Sequence, residues 1–129
     1  MRLVSYTLGQ SGTSECYVTL ISGSAGGLVG NVNRWLGQFG QPPKTEAEII
    51  ALPKVRVLEL DTPLIETSGE ATDMQGNKSG GTKAFIGVAW ISEQGSMFVR
   101  MTGELGEVKA AREDFIAFCQ SIHRQLAPV

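Results

Sequence analysis

Three side chains at helical spacing, Asn31, Asn33 and Arg34, are the residues of this chain best placed to do chemistry with a partner. Asn31 and Arg34 are three apart, so on a helix they stand side by side. Together they offer amide donors and acceptors beside a guanidinium fork that fits a carboxylate or exposed backbone. Two readings stay open. Either Asn31 and Asn33 bond nearby loop backbone while Arg34 pairs with an acid such as Glu59 or Asp61, or the three form a surface that binds a ligand or partner. Catalysis finds little support. The only histidine, His123, has no candidate nucleophile beside it in the sequence and cannot build a histidine metal cluster. Glu59 and Asp61 fall on one face of a predicted strand, which reads as a solvated face rather than an acid/base pair across a cleft. No catalytic residue, metal site or cofactor is assigned.

Upstream, Gly23-Ser24-Ala25-Gly26-Gly27-Leu28-Val29-Gly30 follows a predicted strand and opens a helix, the location of phosphate-binding loops. No Lys-Ser/Thr follows Gly30, and the glycines do not keep G-x-G-x-x-G spacing, so neither nucleotide-binding pattern is met. The turn supports two functions: close helix-to-sheet approach, or a small anion- or phosphate-binding hydrolase built on residues 23–30.

These residues need a helix and a sheet to hold them. Leu28, Val32, Trp35, Leu36 and Phe39 make one apolar stripe at helical period, and Pro42-Pro43 ends the helix. Thr45 is a predicted N-cap for a short second helix carrying Ile49, Ile50 and Leu52. Leu3–Leu8 and Cys16–Ile21 predict a first hairpin, and Ala84–Ser92 with Met97–Thr102 a second one around Glu93-Gln94-Gly95-Ser96. Lys54–Ile65 reads as one long strand. Glu66–Thr82 is polar, glycine-rich and aperiodic, and predicts a mobile connection. A helix from about Leu105 or Glu107 to Leu126 places Val108, Ala111, Phe115, Phe118, Ile122 and Leu126 on one face. The order β-β-α-α-β-β-β-α predicts an α+β domain over residues 1–129, an antiparallel sheet of about five strands flanked by helices.

The bulk numbers narrow the function classes. The chain has 129 residues, 42% hydrophobic and 19% charged, which suits one globular domain. A net charge of -2 with scattered Lys and Arg argues against nucleic acid as partner. No apolar stretch approaches the ~20 residues of a membrane helix. MRLVSYTLGQ lacks a signal peptide's apolar core, so the chain as written predicts a cytoplasmic protein without an export address. Cys16 and Cys119 read as two buried thiols, and their pairing is not deducible from sequence.

The segment Gly26–Pro43, above all Asn31-Val32-Asn33-Arg34-Trp35 followed by Gly37-Gln38, resembles a group of bacterial proteins of unknown function. A strand like Met1–Tyr6 before it, and a hairpin and helix like Ala84–Thr102 and Val108–Ile122 after it, extend the resemblance over most of the chain. It implies a PsbP/Mog-like α/β/α sandwich, used in characterised relatives for binding and assembly rather than catalysis. Those relatives carry an export signal and an additional N-terminal segment, implying an envelope or periplasmic location if the start lies upstream. Without that segment a sheet edge is left for a second copy, which implies a homodimer. The resulting expectation is a non-catalytic binding or assembly module for a protein or small-molecule partner, with Asn31, Asn33, Arg34 and Glu66–Thr82 at its contact surface.

Overall fold

The computed structural model describes residues 2–72 and 76–122. Strands β1 (Arg2–Leu8), β2 (Ser14–Ser22), β5 (Ile65–Thr72), β6 (Lys78–Ile91) and β7 (Gly95–Glu104) form one antiparallel sheet in the order β1-β2-β7-β6-β5. Helices α1 (Leu28–Gln38) and α2 (Glu46–Ile50) lie on one face, and α3 (Leu105–Ala110) and α4 (Arg112–Ser121) on the other. A separate ribbon, β3 (Lys54–Val57) with β4 (Leu60–Pro63), packs beside α4. The protein is therefore α+β, as its hairpins and helical stripes predict.

Each face of the sheet has its own core. Under α1, Val32, Trp35, Leu36 and Phe39 are buried with Ile49, Ile65, Phe85, Ala89 and Phe98. The Trp35 ring sits 5.2 Å from Phe85 and meets Phe98 edge-to-face at 5.5 Å. Burying each of those α1 side chains is worth about 1.5–3 kcal/mol. Gly30 and Gly37 within α1 cost about 1 kcal/mol each, so docking rather than propensity holds the helix. Under α3 and α4, the other core joins Val108, Phe115 and Cys119 to Cys16, Val18, Ile86, Val88, Val99 and Met101.

Several predicted elements differ in the structure. The single strand over Lys54–Ile65 is folded back on itself, because Leu58 and Glu59 both adopt positive φ (47° and 69°) and make a two-residue hairpin turn. Thr62 Oγ1 donates to Val55 O at 2.8 Å and locks that ribbon. Glu59 thus sits in the turn rather than beside Asp61 on one strand face. The connection expected over Glu66–Thr82 is instead the paired strands β5 and β6 through Thr72 and from Lys78. Their ladder needs backbone groups rather than apolar side chains, which is how a polar sequence forms it. The C-terminal helix is divided at Ala111 (φ -92°, ψ 3°) and leaves helical geometry at Ile122 (φ -67°, ψ 128°). The predicted contributions of His123 and Leu126 lie outside the described residues. Among the described residues no helix is long and apolar enough to cross a membrane.

Two polar anchors keep the layers in place. The Phe39–Gln41 segment lies on β5, where Gln41 Nε2 donates to Ser68 O at 2.7 Å. A Cβ on Gly69 would stand 2.3 Å from Phe39 O, so glycine permits that approach. On the other face, the Glu107 carboxylate accepts from the Gln10 and Ser11 amides and from the Ser11 and Ser14 hydroxyls. Those bonds, chiefly from Ser11 and Ser14, hold its pKa down to about 2.

Candidate functional site

The turn between β2 and α1 reverses the chain through Gly23, Ala25, Gly26 and Gly27, all at positive φ. Gly27 N donates to Ser24 O at 2.9 Å, and Ser96 Oγ from β7 donates to Gly23 O at 2.7 Å. Asn31 braces the turn from the helix side. Its Nδ2 donates to Ala25 O at 2.9 Å and Gly27 O at 2.6 Å, and the residue is 5% exposed. A buried amide in that position is held by partners that leave no donor for a ligand.

Asn33 is committed in the same way, two residues further along. Its Nδ2 donates to Lys44 O at 2.9 Å, and its Oδ1 accepts from Lys44 N at 2.8 Å. This two-bond clamp ties α1 to the start of α2 across Pro42-Pro43. There Thr45 and Glu48 form a capping box, each side chain accepting from the other's backbone amide. Those bonds also hold the Glu48 pKa below its ordinary value.

Arg34 is exposed, and its Nη2 donates to Asn31 Oδ1 at 2.8 Å. The acids expected to pair with it do not: Asp61 Oδ1 lies 3.3 Å from Arg56 Nη1, across the β3–β4 ribbon. Among the described residues no carboxylate is bonded to Arg34. Its guanidinium borders an open depression of about 330 Å³, lined also by Ile21, Ala25, Gly26, Gly30 and Asn31. The glycine-rich turn and the Asn31/Arg34 pair thus share one site. The first turn of α1 there has no side-chain cap and no acidic residue, so nothing on the helix itself counters the positive end of its dipole.

Chemically, the arrangement offers a fixed cation and small residues beside it. It lacks a base: Ser24 is an exposed hydroxyl, and no histidine or carboxylate joins the residues lining the depression. Among the described residues no group of three His, Cys, Asp or Glu is placed to hold a metal.

A second arginine escaped the sequence reading. Arg100 of β7 lays its guanidinium over Tyr17 at 4.8 Å and within 6 Å of the Trp35 and Phe98 rings. The signal for it is the strand alternation that puts Phe98 and Arg100 on one face, next to the helix-borne Trp35. Cys16 and Cys119 are free, buried thiols in the α3/α4 core, and burial pushes their pKa values up to about 11 and about 12. Neither is in a position to act as a nucleophile. Comparison of the chain with protein-family models, curated proteins and solved structures returned no match.

Proposed function

We propose that this protein is a non-catalytic binding module that receives an acidic group of its partner, a carboxylate or a phosphate, at the depression beside the start of α1. Arg34 is the recognising residue. Asn31 is a positioning residue that fixes the guanidinium, and Asn33 holds the helix rather than the ligand. The observation carrying this reading is an exposed guanidinium oriented by a buried amide, facing a cavity whose lining has no acid. A guanidinium whose orientation is already set loses less entropy on meeting a planar anion, which favours arginine at such a point. The PsbP/Mog-like resemblance accords with binding and assembly, by fold-level analogy alone.

The hydrolase alternative would use the same turn but needs a base within hydrogen-bond reach of a nucleophile or water. The residues lining the depression supply none. The test is an NMR titration of the protein with inorganic phosphate and with an acetylated tri-glutamate peptide. Saturable shifts at the amides of residues 25–31 that vanish in Arg34→Ala support the reading. Unchanged spectra with both probes, or equal shifts in Arg34→Ala, overturn it.

A further inference from the structure

The other face of the sheet carries a separate cavity. Between β5, β6 and α3 lies a space of about 280 Å³, just below the roughly 300–1,000 Å³ of ligand sites generally. Its floor is apolar: Ala84, Ile86 and Val108 are buried there, and Leu105 forms a wall. Ser68 stands opposite Ala84 on the same face of the sheet and borders the opening. The remaining polar lining is Glu66, Lys109 and Arg112, with Thr67 beside them.

The charges of this rim are unequal. Glu66 is already satisfied by Arg112, whose Nε reaches Oε1 at 2.5 Å and whose Nη2 reaches Oε2 at 3.2 Å. Arg112 Nη1 is turned outward to Glu113 Oε1 at 2.9 Å. Lys109 has no acidic partner among the described residues. Of the three charges lining the cavity, one positive charge is therefore left over. The polar hydrogens left over on this lining, on the Lys109 ammonium, the Ser68 and Thr67 hydroxyls and two N–H groups of Arg112, are all donors, so the complementary head group is an acceptor.

We infer that this cavity binds a small monocarboxylate with an aliphatic body, the hydrocarbon lying on Ala84, Ile86 and Val108 and the carboxylate meeting Lys109 at the rim. The site is independent of the α1 depression, since the sheet separates the two. Hydrocarbon burial supplies most of the affinity, while the ion pair at the exposed rim supplies a smaller, head-group-selective part.

The test is an NMR titration of the whole chain with hexanoate, and with 1-hexanol as the neutral probe of equal length. Saturable shifts are expected at the amides of Ser68, Ala84, Ile86, Val108 and Lys109, with hexanol about fivefold weaker. Lys109→Gln is expected to weaken hexanoate by about the same fivefold, leave hexanol unchanged, and be rescued by Lys109→Arg. Ser68→Phe fills the cavity from the strand opposite Ala84, and is expected to abolish binding of both probes in a protein whose circular dichroism and melting temperature show it folded. Hexanol binding as tightly as hexanoate would overturn the assignment of an anionic ligand. Shifts centred on residues 25–34, binding unaffected by Ser68→Phe, or no shift with either probe would overturn the site.

Discussion

Asn31 separates the two roles that its segment could play, and substituting it is the most informative perturbation. In Asn31→Ala, Ala25 O loses its bond from Nδ2, while Gly27 O keeps the backbone bond from Asn31 N at 3.3 Å. Three lost hydrogen bonds, the one from Arg34 included, and one part-buried carbonyl stripped of its partner cost about 2–4 kcal/mol. An unfolding entropy of about 2.1 cal/mol/K per residue over 129 residues converts this into a fall in melting temperature of about 7–15 °C. Arg34→Ala, at an exposed position, should move stability by no more than about 0.5 kcal/mol.

Asn31→Asp sharpens the test, because it keeps the acceptor toward Arg34 and reverses the other side of the group. The introduced carboxylate would face Ala25 O and Gly27 O, which now receive hydrogens at 2.9 and 2.6 Å. Repulsion from those two oxygens and burial raise its folded pKa above the ~3.9 of the unfolded chain; the exposed Arg34 opposes this only weakly. With the folded pKa raised, the native state holds the proton more tightly than the unfolded state. The deficit relative to wild type is therefore full at about pH 7 and shrinks as the pH falls toward about 4. Paired urea titrations of variant and wild type at each pH measure it. A deficit that grows on acidification would mean that Arg34 dominates and that the amide does not point its nitrogen at the turn, refuting the brace.

Other expectations follow from the same structure. Asn33→Ala removes both bonds of the Lys44 clamp and should cost about 1–3 kcal/mol in urea unfolding, while leaving phosphate and peptide binding at Arg34 intact. Glu107→Gln should flatten the acid limb of stability: a carboxylate lowered from 4.5 to about 2 stabilises the fold above that range, and its contribution is lost as the pH falls through it. Denaturant midpoints of variant and wild type across that window should converge at the acid end. Cys16 and Cys119 should resist a thiol reagent at about pH 8 in the native protein and react at once in urea, because burial keeps both protonated. Gly69→Ala forces a carbon to within 2.3 Å of Phe39 O and should lower stability by about 1–3 kcal/mol, read by thermal melting.

The parts of the fold legible in the sequence are those where apolar spacing and turn chemistry agree. Helix α1 has a stripe ending at Phe39, with glycines before it and prolines after it, and it forms over Leu28–Gln38. The Thr45 N-cap was legible too, and the structure adds Glu48 as the second half of a capping box. The β3–β4 turn was not visible, since Leu58 and Glu59 are poor residues for two consecutive positive φ angles. Packing supplies what local preference withholds there: Leu58 lies against the α3/α4 core, and the turn brings Val55 and Val57 into it. Strand β5 was hidden for the opposite reason. Its Thr, Ser, Gly and Glu residues carry no apolar alternation, and an edge strand one neighbour deep can form from backbone pairing with little side-chain burial.

The polar triad shows why residue type at a given spacing settles neighbourhood but not role. That Asn31 and Arg34 touch was readable from their three-residue separation. What each contributes depends on where the chain goes next. Asn31 is buried because the turn at Ala25–Gly27 folds back over the first turn of α1, and Asn33 is occupied because Pro42-Pro43 returns Lys44 to its side. Both amides could have served a ligand equally well on an isolated helix, since they carry the same donors and acceptors in either role. Loop backbone has claimed them, and the cost of leaving those carbonyls and that amide unpaired exceeds what a reversible ligand contact would return. Arg34 is different. Its bond to Asn31 uses one of five donor hydrogens and leaves the others for a ligand in the depression that Arg34 lines. The functional question that began with three side chains is thereby carried by one arginine, with the two asparagines setting its position.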